Sequence, residues 1–231
     1  MNYIWTEDSG AGLHYWNLVN EYLLQNKCVV ESKGSNQGIL DAVRELTPQE
    51  SAKYYLAFDI VYDNMDVMNK YLELRELAAK HPDQIIILDM ICFEHVILCF
   101  SKLIEWTGSG KTDKIAMREV ILSAVKEHKI DIDSITDKKT LEYLMGFKRY
   151  STERVIKAVT YELTENEEWS VKGKLMGRCW YQDCCVLENA AKKKCNVDKT
   201  VFGEMKIRRL LDDKETQRIL SGGSLIGTDQ C

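Results

Sequence analysis

Apolar runs alternate with helical stripes four times in roughly the first hundred residues, and few folds accommodate that alternation. Residues 2–6 read as a strand, followed by a loop at Gly10 and Gly12. Leu13, Trp16, Leu18, Val19, Tyr22 and Leu23 then recur at helical spacing. Residues 27–31 (KCVVE) form a second strand, and a turn at 32–36 caps a helix over 39–46. Pro48 separates that helix from a third strand at 54–60 (YYLAFDI). Asp63 or Asn64 can cap the next helix, through Leu72, Leu74 and Leu77, which His81-Pro82-Asp83 stops. Residues 84–88 (QIIIL) read as a fourth strand buried on both faces, and a very apolar helix spans 92–106.

Such alternation predicts an α/β fold, with a four-stranded, mostly parallel sheet flanked by helices. Right-handed crossovers place every strand's carboxyl end on one edge, where ligands of such sheets bind. Glu7, Asp59, Asp63 and Asp89 each end a strand or follow one, so all four are expected near that edge. Beyond Gly108 the pattern turns helical, with helices expected at 115–128, 141–147, 152–163 and 201–211. The expected division is an α/β domain over 1–107, a mainly helical region over 108–220 and a mobile tail over 221–231.

Composition narrows the class. The chain has two prolines in 231 residues, which argues against long linkers and turn-rich sandwiches. No apolar run approaches the ~20 residues of a membrane span. Residues 1–7 show neither a basic start nor a signal-like apolar stretch, so a cytoplasmic location is expected, with the eight cysteines reduced. The net charge of −5 is uneven: residues 171–218 hold twelve Lys/Arg and seven Asp/Glu, leaving −10 for the rest. Lys192, Lys193, Lys194, Arg208 and Arg209 in that stretch either contact phosphates or form a solvated helical surface.

Carboxylates after parallel strands suit Mg²⁺, a hard cation that takes carboxylate oxygens and keeps several waters. Phosphodiester-cleaving sites use such groups to place one or two metals. The competing reading is structural: Asp63 caps a helix, and Asp89 sits in a strand-to-helix turn.

Two segments carry a resemblance. Cys92-Phe93-Glu94, followed by the apolar helix His95-Val96-Ile97-Leu98-Cys99-Phe100, is similar to the Cys-Phe-Glu segment of RloB-type Toprim proteins. Trp5-Thr6-Glu7-Asp8-Ser9-Gly10, with Tyr15-Trp16 after it, resembles their Glu-Gly-x-x-Glu-x-x-Tyr start. The order of elements over residues 1–106 resembles the Toprim fold, which the OLD nucleases share. The resemblance implies a Mg²⁺- or Mn²⁺-dependent nuclease acting on RNA, transfer RNA included, or on DNA, often encoded in anti-phage defence loci. It implies catalytic and metal-binding roles for Glu7 and Asp59 and a catalytic or fold-supporting role for Glu94, while Asp63 (catalytic or ligand) or Asp89 (ligand), placed by the strand ends, would complete the Mg²⁺ set. The family's motif has Gly where Asp8 stands, and Asp-x-Asp where this chain has Asp59-Ile60-Val61-Tyr62-Asp63. An inactive Toprim-like sensor or scaffold, a homo-oligomer or a subunit beside a protein partner from the same locus, is the alternative that this spacing raises.

Two other features compete for attention. Gly108-Ser109-Gly110-Lys111-Thr112 has Glu105 where a P-loop needs its first Gly, and no strand precedes it, so it reads as a connection between helices. Cys179, Cys184, Cys185 and Cys195 are either four ligands of a structural Zn²⁺ or reduced thiols packed around Trp180. The four histidines show no metal-ligand spacing.

Overall fold

The computed structural model describes residues 1–8, 11–22, 24–99, 111–164, 170–171 and 174–175. Four strands, β1 (Asn2–Thr6), β2 (Cys28–Ser32), β3 (Tyr54–Ala57) and β4 (Ile85–Ile87), make one all-parallel sheet in the order β2-β1-β3-β4. Helices α1 (Ala11–Tyr22), α2 (Asn36–Glu45) and α3 (Met65–Ala78) make the crossovers, and α4 (Phe93–Cys99) follows β4.

Period-two alternation assigns the faces. Trp5, Tyr54 and Leu56 point to one side, where they pack with Ile39, Leu40 and Val43 of α2 and Leu74 and Ala78 of α3. Ile4, Tyr55 and Ala57 point to the other, against Tyr15, Trp16 and Val19 of α1 and Val96 and Ile97 of α4. Helices therefore cover both faces, as the strand-helix alternation requires. The tight register of β1 on β3 is visible in Tyr3 and Tyr54, paired across the strands with rings stacked at 5.0 Å.

The chain then adds α5 (Thr112–Ser123), a hairpin of β5 (Val125–Lys126) and β6 (Lys129–Ile130), a 3₁₀ turn (Ile132–Ser134), α6 (Lys138–Met145) and α7 (Thr152–Thr164). Val155, Ile156, Val159 and Leu163 of α7 join the core on the α1–α4 face. A second short antiparallel pair, β7 (Ser170–Val171) and β8 (Lys174–Leu175), follows.

Several boundaries differ from expectation. The helix expected over 115–128 ends at Ser123, because the chain reverses through Glu127 and His128, both with positive φ (47° and 59°). Hairpin turns of this kind favour Asn-Gly, and Glu-His gives no such signal. Strand β3 stops at Ala57, and residues 58–61 continue as buried chain outside the ladder. Strand β4 is a sheet edge, so Ile86 and Ile87 stay partly exposed instead of being buried on both faces. Asn64, not Asp63, caps α3, accepting from the Asp66 and Val67 amides. The described part of the apolar helix expected over 92–106 is α4, and the helix expected over 201–211 and the tail at 221–231 lie outside the described residues.

Candidate functional site

In the order β2-β1-β3-β4 the crossovers diverge between β1 and β3, since α1 and α2 cover opposite faces. A doubly wound sheet opens its ligand crevice at such a point, beyond the strands' carboxyl ends. Glu7 leaves β1 there, and Asp59 lies two residues past β3.

Local chemistry fixes both. Thr6 is fully buried at the end of β1, and its Oγ1 accepts from the Asp8 amide at 3.2 Å. The Asp59 backbone is clamped by the buried Asn36 side chain, whose Nδ2 donates to the Asp59 carbonyl and whose Oδ1 accepts from the Asp59 amide, both at 3.2 Å. Asn36 is the first residue of α2, capped by Ser35, whose Oγ accepts from the Gly38 amide at 3.0 Å. Gly38 permits this approach, because a Cβ there would lie 1.9 Å from the Lys33 carbonyl oxygen. A polar clamp at the start of α2 thus aims the residue that follows β3.

Glu7 lies near enough to Asp59 for its charge to act on the Asp59 carboxyl. Asp59 is 3% exposed, and its Oδ1 has no partner. Burial, and then the charge of Glu7, push its carboxyl well above the ordinary range. Asp8 is raised to about 6 by burial and by Glu7, with Lys157 opposing. Glu94, in the first turn of α4, is 4% exposed with its Oε2 unpartnered. Burial raises it to about 8, against the pull of Lys157. The Cys92 thiol is fully buried and likewise pushed up, by desolvation first and by Glu94 and Asp59 after it.

Helix α7 supplies the counter-charge. Lys157 Nζ sits 2.6 Å from Glu153 Oε1. Burial pulls the Lys157 ammonium down, but Glu94 first, then Cys92, Asp59 and Glu153, outweigh it and raise it above the usual lysine range. Glu7, Asp8, Asp59, Glu94, Glu153 and Lys157 therefore form one electrostatic cluster. Asp8, Asn36, Glu153 and Lys157 were not legible as site residues. Glu153 and Lys157, four apart, carry the signature of an ordinary helix-surface pair.

Asp63 and Asp89 face other partners. Asp63 Oδ2 accepts from the Thr152 amide at 2.7 Å and from the Thr152 hydroxyl at 2.8 Å, which ties it to the first residue of α7. Asp89 Oδ1 lies 2.6 Å from His128 Nε2, and the His128 ring stacks on Tyr62 at 5.5 Å. Beside that pair opens a cavity of about 360 Å³, with His95 and Cys99 on its wall over Leu122 and Val125. His95 Nε2 and Cys99 Sγ are 3.4 Å apart. The acids at the strand ends are thus divided between two places.

No protein-family model, curated protein or solved structure matches the chain.

Among the described residues, no three His, Cys, Asp or Glu side chains stand together as a ready-made ion cage. Mg²⁺ does not demand one, since it is commonly held by one or two carboxylates and fills its shell with water and phosphate. The neighbouring Glu7 and Asp59 carboxyls, with an orphan oxygen on Asp59, fit that mode of binding. Cys179, Cys184, Cys185 and Cys195, and the basic residues Lys192, Lys193, Lys194, Arg208 and Arg209, lie outside the described residues, as does 108–110. Lys111 Nζ donates to the Glu162 carbonyl oxygen. No described helix is long and apolar enough to cross a membrane.

Proposed function

We propose that this chain is a Toprim-type, Mg²⁺-dependent (or Mn²⁺-dependent) nuclease acting on RNA, with transfer RNA as one candidate, or on DNA, and serving as a defence effector. The observation that carries the reading is the closeness of Glu7 and Asp59 at the switch point between β1 and β3. Two carboxylates from the ends of the two central strands are what a metal-assisted phosphodiesterase needs there. Glu7 and Asp59 would hold the ion, which would supply charge neutralisation at the phosphate and an activated water. Glu94 keeps a proton near neutral pH on a buried carboxyl with an unpartnered oxygen, which suits it to give a proton to a leaving oxygen. The basic residues between 192 and 209 would track the nucleic-acid backbone, and binding would weaken as salt rises.

The test is incubation of the full chain with transfer RNA and with plasmid, in Mg²⁺ or in EDTA. Cleavage that requires the metal and is lost in Glu7→Ala and Asp59→Ala supports the reading. Cleavage that survives both substitutions sinks it.

A second reading is a non-catalytic Toprim-like subunit of a larger defence complex. It draws on Asp63, which is committed to Thr152, and on Val61, which is buried where the motif's second Asp would stand. Failure of the chain to bind Mn²⁺ under conditions where it is folded would favour it.

A further inference from the structure

Helix α7 packs on α4 beside Glu94 and carries Lys157, paired with Glu153, one turn away. Three residues after Lys157, the Thr160 hydroxyl donates to the Glu94 carbonyl oxygen at 3.2 Å. Residues three apart share a helical face, so Lys157 lies on the side of α7 that meets α4. Its side chain is 25% exposed, so it is not sealed in, and its Nζ contacts Glu153 Oε1. A buried carboxyl group that ionises needs a counter-charge. Yet the ammonium leaves Asp59 Oδ1 and Glu94 Oε2 without partners, although both residues are more than nine-tenths buried. Lysine is a compact charge on a flexible stem, able to swing away without moving its helix. A hard divalent cation competes for the same oxygens.

We propose that Lys157 is the resident counter-cation of the crevice, and that a divalent ion must displace it to reach Glu7 and Asp59. The inference rests on the metal reading above and concerns its regulation. With Lys157 in place an incoming ion meets a positive charge. With Lys157 swung out, an ion at Glu7 and Asp59 no longer meets that charge. Asp63 holds the start of α7 through Thr152, so the exchange belongs to the side chain and leaves the helix docked.

The experiment is a calorimetric Mn²⁺ titration of the full chain as wild type, Lys157→Met, Lys157→Gln, Glu7→Gln and Asp59→Asn. Lys157→Met and Lys157→Gln are expected to bind Mn²⁺ on the order of tenfold more tightly, because a nearby positive charge is gone. Unchanged or weaker affinity in the folded Lys157 variants overturns the exchange. If Glu7→Gln and Asp59→Asn lose binding in that case, the metal reading stands and the exchange alone falls. If binding persists in Glu7→Gln and Asp59→Asn, both fall. A second measurement needs no variant. Acetylation of the wild-type chain, read by peptide mass spectrometry, should label Lys157 severalfold faster in saturating Mn²⁺, while labelling of Lys70, paired with Asp66 on α3, stays constant. An unchanged Lys157 rate overturns the proposal.

Discussion

The acids at the ends of the sheet fall into two groups with opposite electrostatics. Glu7 presses on Asp59 and Asp8 on Glu94, and Asp59 and Glu94 are almost wholly buried with an unpartnered oxygen each. Asp63 and Asp89 are satisfied: one by the amide and hydroxyl of Thr152, the other by His128. A carboxylate whose hydrogen bonds are complete holds elements together. A buried carboxylate left incomplete costs stability, on the order of 1–3 kcal/mol for an unsatisfied group, and folds keep such costs where a ligand compensates. The contrast sorts site from scaffold more sharply than position in the chain does.

The contrast breaks first at the crevice. On the proposed reading, Asp59→Asn and Glu7→Gln should each lower metal-dependent cleavage by about a hundredfold or more, on the scale of losing a principal group in a preorganised site. Neither should unfold the protein, because each removes like-charge repulsion. Parallel cleavage assays and thermal melts read both halves of this expectation, and a variant that melts early without losing activity would place its carboxylate with the scaffold.

Asp63→Ala should do the reverse. It strips two hydrogen bonds from Thr152, whose hydroxyl also accepts from the Ile130 amide at 2.9 Å. Loosening the start of α7 and the β6 strand together should cost about 2 kcal/mol, read as a lower urea midpoint. Mn²⁺ affinity should stay near that of wild type. A large loss of affinity with intact stability would put Asp63 among the ligands of the proposed ion.

Strand-helix alternation made the parallel sheet and its two helical layers readable, because period-two and period-3.6 patterns in residues 1–99 agree with the burial they produce. It also brought Glu7 and Asp59 to the same edge. It did not separate Asp59 from Asp63, because that distinction depends on where Thr152 docks, almost ninety residues later. Lys157 was hidden for the same reason: its meaning comes from α4 packing on α7, and no local pattern encodes that contact. Asn36 looked like part of a turn, and only the crossover that lays α2 beside the end of β3 makes it a clamp.

The electrostatic contrast also has a pH signature. Glu94 stands at about 8 in the folded protein against an ordinary 4.5. Between those values the folded state keeps a proton that the unfolded state has lost, so stability falls as pH rises through the window and levels off above it. Asp8, at about 6 against 3.8, adds a smaller loss at lower pH. Glu94→Gln cannot ionise, so it should flatten the decline and leave the variant more stable than wild type near pH 8, by on the order of 1 kcal/mol. Urea titrations of the metal-free protein at pH 5 and pH 8 read the difference. Equal slopes for the two proteins would mean that Glu94 ionises freely.

The smallest effect tests the satisfied group, in the turn that presents His128. Glu127 and His128 both hold left-handed φ, where Asn is tolerated better than most side chains. Glu127→Asn relieves that strain and should gain about 0.5 kcal/mol, close to the scale of other favourable turn substitutions. His128→Asn relieves the same strain but removes the contact with Asp89 and the stack on Tyr62. These two contacts, partly exposed, are together worth about 1 kcal/mol, so the net should be a small loss. Opposite signs at adjacent positions, read from urea midpoints, would show that His128 holds its backbone against its preference because Asp89 and Tyr62 keep it there. A gain at both positions would mean that the contacts of His128 with Asp89 and Tyr62 add nothing to stability.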